Sequence, residues 1–363
     1  MFEMKKEYSS EQLNAMKGFL IILVVVGHSI VANQLYPTLK AAVYSFHIPC
    51  FLLFPFIFPV RKINVNYVGD LFTRYFIPYS FFTVLYAIVF GIAQKVSITQ
   101  WNITLFKALF TGNTIFLKEA TGFNLFWFLP VLFITNLLKL IYYNQKSVLK
   151  YTMLICLIIA HLFIPAIPWS LKQKFPFWGI HIALFILPIG ICIQNLLPLV
   201  SLNLRGYFRF LLVGLFVSSI LWLIYNQMTP NIGNLAYASY KNIPVLIIQD
   251  LVAILGFLSL LLYSKELSKI PFISIIGKQT LAIYLMSQPF VVITMYVFNK
   301  SSILLDIQIF QFIAGMLSII LGVIGPLIIT RFLLSRKRII SILFPRSLSD
   351  FLTGFKLITH PQV

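Results

Sequence analysis

Ten stretches of mostly apolar residues, each 17 to 25 long, run almost end to end along this chain of 363 residues. A helix needs about 20 such residues to cross roughly 30 Å of hydrocarbon, and in that medium every backbone N–H and C=O must be bonded within its own segment. The stretches lie at 15–35, 43–59, 72–93, 123–143, 150–167, 177–196, 208–227, 244–264, 272–296 and 307–331. They predict an all-α integral membrane protein, a bundle of about ten transmembrane helices. Charge content agrees: 10% of residues are charged, against about 25% in a soluble domain. Pro49, Pro55 and Pro59 interrupt the second stretch, which a spanning helix tolerates where its neighbours re-satisfy the freed backbone groups.

The formal net charge is +19, yet the cations sit at span ends rather than on one face, so nucleic acid is not an expected partner. With the amino terminus in the cytoplasm, nineteen of the 28 Lys and Arg fall on the inner side and eight on the outer, with Lys17 inside the first span. That is the positive-inside asymmetry, and an even number of spans makes both termini cytoplasmic. One transmembrane domain is expected over 1–335, followed by a short basic tail over 336–363 whose Arg336-Lys337-Arg338 suits anionic lipid. The expected place is the cell (plasma or inner) membrane, with membrane lipids as partners.

The first stretch is too long for the apolar region of a signal peptide and lacks a small-residue cleavage site, so it reads as a retained helix. The longest connection, 94–122, lies outside on this topology and is expected to form a re-entrant or interfacial element. Cys50, Cys156 and Cys192 fall in apolar spans without metal-ligand spacing. They read as buried structural thiols, and no metal is expected.

Ionisable groups at membrane depth are costly and mark functional sites by default. Here they are Lys17, His28, His47, Arg74, His161, His181 and Asp250. Lys17 and His28 stand eleven positions apart, so at about 100° per residue both point within roughly 20° of one direction, about 16 Å apart along the axis. A cation at one end of a groove and a base at the other suit a path that enters from the cytoplasm and ends in chemistry farther out. On this topology every intramembrane histidine lies in the outer half. Imidazole oriented by a carboxylate is a common general-base arrangement, and Asp250 is a candidate orienter. His161 and His181 read more simply as span-end residues reaching interfacial water. Arg74 is either a snorkelling anchor or a bidentate phosphate clamp. Gly-rich phosphate loops, same-helix metal-ligand pairs and Gly-x-Ser-x-Gly elbows are all absent from the sequence.

The run from Leu13 to His28, Leu-Asn-Ala-Met-Lys-Gly-Phe-Leu-Ile-Ile-Leu-Val-Val-Val-Gly-His, resembles the amino-terminal signature of the acyltransferase-3 family of membrane O-acyltransferases. It is most similar to the fucose 4-O-acetylase-like branch. Lys17 and His28 match that family's basic residue, ten intervening positions and histidine. Phe46-His47-Ile48-Pro49 resembles its Phe-His-Met-Pro, and Arg74-Tyr75-Phe76-Ile77-Pro78-Tyr79 its Arg-x-x-x-Pro-Tyr. Trp127-Phe128-Leu129 is similar to its Trp-Phe-Leu, and the stretch from Ile276 to Leu285 to its Gly-Lys-x-Ser-Leu-x-Ile-Tyr. Three positions depart from the pattern: Asn14 for a common aspartate, Pro55-Phe56 for Ser-Gly, and Ser287 for a frequent histidine.

The resemblance implies transfer of an acyl group, usually acetyl, from cytoplasmic acyl-CoA to a hydroxyl of a surface or wall glycan or a lipid-linked sugar. Lys17 and Arg74 would meet the anionic CoA, with Arg61-Lys62 beside them. His28 would be the general base, and His47 would orient the acceptor, assist proton transfer or stabilise the oxyanion. Asp250 would support them. Direct transfer and a covalent acyl-enzyme both stay open. A proton-coupled exporter of glycan or lipid-linked sugar is the rival reading, since outer-half histidines and an intramembrane aspartate also suit transport.

Overall fold

The computed structural model describes residues 8–29, 32, 35–95, 97–123, 125–168, 171, 179–201, 206–225, 243–300, 308–334 and 337–359. Among the described residues there are helices and no strands, and ten helices are long and apolar enough to cross a membrane. In chain order they begin with α1 (Ser10–His28), α2 (Pro37–Leu53), α3 (Val65–Gln94), α4 (Ile98–Thr111), α5 (Thr114–Thr121), α6 (Phe128–Tyr143) and α7 (Ser147–Phe163). Then come α8 (Ile180–Ser201), α9 (Gly206–Tyr225), α10 (Ile243–Leu262), α11 (Ser264–Ser268) and α12 (Pro271–Lys278). The last are α13 (Thr280–Lys300), α14 (Gln308–Leu334), α15 (Lys337–Leu343) and α16 (Leu348–Thr359). Parts of five expected spans (30–31, 33–34, 124, 177–178, 226–227 and 307) lie outside the described residues, as do the cations Lys5, Lys6, Lys172, Lys174, Arg205, Lys241 and Arg336.

The second and third spans start six and seven residues before their apolar windows, at Pro37 and Val65, and the first and ninth differ from the sequence expectation for local reasons. The first starts at Ser10, because Ser9 and Gln12 form a capping box that satisfies the first free N–H groups, and it ends at His28 with Ser29 extended. The ninth divides in two. Gln279 leaves helical geometry (φ −111°, ψ 19°), so Pro271–Lys278 forms a short helix of its own ahead of the true span. The cysteines also divide. Cys50 is buried in protein, whereas Cys156 and Cys192 face outward from their helices, because an apolar thiol is as well placed against lipid as against side chains.

The contacts within the chain fall into two units, each made of separated segments. The first holds Met1–Ile57, Ile189–Leu235 and Tyr240–Thr330; the second holds Phe58–Pro188, Ala236–Ser239 and Arg331–Val363.

In the first unit α1 packs against α2, α11, α12 and α13. The α1–α12 crossing is backbone on backbone. A Cβ added to Gly18 would lie 2.0 Å from the Ile273 carbonyl oxygen, and one on Gly277 would lie 1.6 Å from the Asn14 carbonyl oxygen. Small residues at such crossings let membrane helices gain close van der Waals contact. Ser274 Oγ adds a hydrogen bond to the Glu11 carbonyl at 3.0 Å. Farther along, α2 packs on α9 and α10: Phe46 meets Phe216 edge-on at 5.1 Å, beside a core of Leu223, Val245 and Val252.

The departure at Pro55-Phe56 is accommodated in the same unit. These residues close α2 in a 3-10 turn over Phe54–Ile57, and the fully buried Phe56 ring occupies the space where Gly190 lacks a side chain. A Cβ on Gly190 would lie 2.3 Å from two of its ring carbons. Gly190→Ala is therefore expected to destabilise the protein by about 1–3 kcal/mol through overpacking. Gly214→Ala, where nothing lies within 4 Å, is the matched control, and thermal unfolding in detergent compares the two.

In the second unit α3 carries a helical hairpin that runs back down its side. Trp101 Nε1 donates to the Ala87 carbonyl at 2.8 Å, and the Tyr79 hydroxyl donates to the Ala108 carbonyl at 2.6 Å. Antiparallel α4 thus descends from the Gln94 end of α3 to the level of Tyr79, fifteen residues and about 22 Å along the axis. Gly112, left-handed at φ 59°, turns the chain. Asn113 caps α5, which returns until Gly122, also left-handed, lies against Phe90. The described part of the 94–122 connection is thus a helical hairpin packed along α3. The Tyr79 hydroxyl meets the Ala108 carbonyl there, and the Asn113 side chain accepts the Ile115 N–H at the start of α5.

The tail folds back in this unit as well: α15 and α16 pack on α3, and the Leu348 N–H donates to Asp70 at 2.9 Å. The side chains of Lys337 and Arg338 lie outside the described residues.

Candidate active site

Two family-like segments converge at the far end of α1. The last residue of that helix, His28, meets Tyr44 from α2; the Tyr44 hydroxyl lies 3.0 Å from Nε2 and 3.3 Å from Nδ1 of the imidazole. The same tyrosine ring stands edge-on to His47, with centroids 5.0 Å apart. Three positions along one helix bring side chains to the same face, so Tyr44 and His47 project together and Tyr44 reaches across to α1. Gly27 makes the reach feasible, because a Cβ there would lie 2.7 Å from Tyr44 Cε2. Lys40, one turn earlier on α2, sets its ammonium 5.7 Å from the Tyr44 ring centroid.

His47 is buried and held from its own helix. Its Nδ1 lies 2.5 Å from the Val43 carbonyl oxygen. A carbonyl only accepts, so Nδ1 carries the proton and the neutral ring offers Nε2 as its acceptor. Pro49 lies two residues on within α2. Buried Gln249 of α10 donates from Nε2 to the Ser45 carbonyl, between Tyr44 and His47 in sequence, and so fixes the turn that carries them.

The structure thus brings His28 and His47 together and adds Tyr44 and Gln249, which sequence reasoning missed. Tyr44 had a usable signal, since it precedes His47 by three positions on a helix. Gln249 had none, because nothing in a sequence shows which helices touch. Asp250, the expected orienter, is one position beyond Gln249 and about 100° further round α10; the described partners of the histidines are Tyr44 and the Val43 carbonyl. Lys17 is half-buried on α1, next to the Gly18–Gly277 crossing, so the Lys17-Gly18 and Gly277-Lys278 backbones abut. Ser287 is buried on α13, where its carbonyl faces Gly322, beside Val25 of α1.

Arg74 belongs to the second unit, near the start of α3, and its Nη2 donates to the Arg346 carbonyl at 3.0 Å. It anchors the tail rather than snorkelling alone, and a guanidinium keeps further donors for another acceptor. Lys139 was expected to sit at an interface with the inner-side cations. It is buried instead, and its Nζ donates to the Phe58 carbonyl at 2.8 Å. Asn144 joins it by donating to the Arg61 carbonyl at 3.0 Å, so the Arg61-Lys62 loop is stitched to the end of α6. His161 does not reach interfacial water. It is buried, stacked on Phe185 at 4.3 Å, with Nδ1 2.7 Å from the Phe185 carbonyl, and it joins α7 to the start of α8. His181 is half-buried near the start of α8.

A separate, open apolar groove of about 690 Å³ lies in the first unit, lined by Val26, Leu39, Ala42, Phe312 and Met316 among others. Val26 is two positions from His28 and Ala42 two from Tyr44, about 200° round each helix, so this apolar space belongs to the opposite faces.

Compared with known proteins, the chain matches a family model described as an acyltransferase domain over residues 10–331. No curated protein and no solved structure matches the chain.

Proposed function

From the premise that this chain belongs to the acyltransferase-3 family and is a multi-pass membrane acyltransferase, we propose that it moves an acetyl group from cytoplasmic acyl-CoA to a hydroxyl of a surface or wall glycan. The proposal places it in the fucose 4-O-acetylase-like branch and in the cell membrane, with both termini in the cytoplasm. The observation that carries it is the His28–Tyr44–His47 cluster at one end of α1, about 16 Å along the same helix face from Lys17.

The chemistry follows from that separation. CoA is an anion, and Lys17 supplies a cation for it on the cytoplasmic side. The acceptor hydroxyl gives its proton to His28 as its oxygen attacks the thioester carbonyl. The C–S bond then breaks, and the leaving thiolate takes the proton back from the imidazolium. General-base assistance of this kind contributes about 10²–10⁴-fold. His47, with its Nδ1 proton committed to Val43, offers Nε2 to the acceptor as a fixed hydrogen-bond partner. Asp250 takes a supporting electrostatic part from α10. The reaction needs acyl-CoA and the acceptor; no metal enters the proposed chemistry.

The test is the alkali-labile ester content of surface glycans, read by mass spectrometry, from cells carrying the gene or an empty vector at matched glycan yield. Esters that appear only with the gene are the expected result. Equal ester content, accompanied by more glycan outside the cell, would replace acyl transfer with export.

A further inference from the structure

We propose that Tyr44 is a positioning residue of this site: its hydroxyl oxygen accepts the Nε2 proton of His28 and leaves Nδ1 as the nitrogen that acts on the acceptor. The inference rests on the acyl-transfer reading for its catalytic meaning, though not for the contact itself.

Three observations carry it. The hydroxyl lies against the ring edge between the two nitrogens and is closer to Nε2, at 3.0 Å, than to Nδ1, at 3.3 Å. A neutral imidazole is a donor at one nitrogen and an acceptor at the other, and the partner at the first decides the tautomer. A phenol oxygen can take that partner's place, where a carboxylate often serves. The tyrosine is itself fixed on two sides. Its ring stands edge-on to His47, and it lies in the space left by Gly27, so the hydroxyl has little freedom to leave the imidazole. The bond also crosses between helices, from α2 to α1. It therefore sets the distance between the two family-like segments as well as the ring's orientation.

A residue acting this way contributes through His28 and not through substrate contact. Tyr44→Phe keeps the ring, the Gly27 fit and the edge-on contact, and removes the hydroxyl alone. The full-length protein in lipid nanodiscs is treated with diethyl pyrocarbonate, and carbethoxylation of His28 and His161 is followed by mass spectrometry. Loss of the hydroxyl uncovers the ring edge, so the His28 rate is expected to rise about threefold or more while the His161 rate holds. The same variant is expected to lose about 10–100-fold in kcat with KM for acyl-CoA and acceptor nearly unchanged, as for removal of part of a general-base arrangement.

An unchanged His28 rate overturns the proposal. So does a parallel rise at His161, which would mean general loosening of the fold. If the wild-type protein forms no ester, the acyl-transfer reading falls, and the His28 rate still decides whether Tyr44 holds that ring.

Discussion

His28→Ala is expected to lower ester formation by about 10²–10⁴-fold, the usual contribution of a positioned general base, with the protein inserted at the wild-type level. The side chain is half-buried at the end of α1, where the chain already leaves the helix at Ser29, so the packing its removal deletes is chiefly its contact with Tyr44. What it deletes is the proton acceptor and the partner of Tyr44. His28→Gln is the sharper variant, because it keeps hydrogen-bonding capacity and loses basicity. If glutamine restores more than a tenth of the wild-type rate, the ring's role is to hold the acceptor, and the base must be sought elsewhere. His161→Ala is the comparison. That histidine bonds the Phe185 carbonyl inside the second unit, so its loss is expected to lower folded yield while the protein that does fold keeps its turnover per molecule.

Gly277→Val is expected to prevent stable assembly of the first unit, at a cost of about 3 kcal/mol or more, the upper range for overpacking. The reason lies in what a side chain there would strike. A Cβ would sit 1.6 Å from the Asn14 carbonyl oxygen, with the Gly18 nitrogen 2.9 Å away. These are backbone atoms within helix α1, and no rotamer change can clear them, so α12 must lift away. Lifting α12 breaks the Ser274–Glu11 bond and separates Lys17 from its neighbouring backbone. Size-exclusion chromatography after mild extraction is the readout, with Gly206→Val as the control because nothing lies within 4 Å of that position. Wild-type behaviour of Gly277→Val would show that the α1–α12 crossing is looser than the structure has it. It would also remove the argument that this crossing fixes Lys17.

The membrane fold was legible for a plain physical reason. Ten helices of the required length need ten apolar windows, and hydrocarbon leaves no other way to satisfy a crossing backbone. Boundaries were less legible where they turn on one residue. Ser9 with Gln12 starts α1 earlier than its apolar window suggests, and Gln279 splits the ninth stretch into α12 and α13. Hydropathy averages over such local bonds and cannot register them.

His28 and His47 could be read from the sequence because a titratable ring in an apolar helix is costly and so stands out. Tyr44 did not stand out, since a tyrosine among aromatics in a span is ordinary, and its part depends on the neighbouring helix. The chain by itself determined the number of crossings, the bias of its cations and the common face of Lys17 and His28, all of which follow from composition and helical period. Only tertiary structure decided that Gln249 braces the histidine helix. It also decided that Lys139 serves the Phe58 carbonyl, and that 94–122 returns along α3 to the depth of Tyr79. Those outcomes depend on which helices touch and at what rotation, and a period of 3.6 residues fixes the faces of one helix without naming its neighbour.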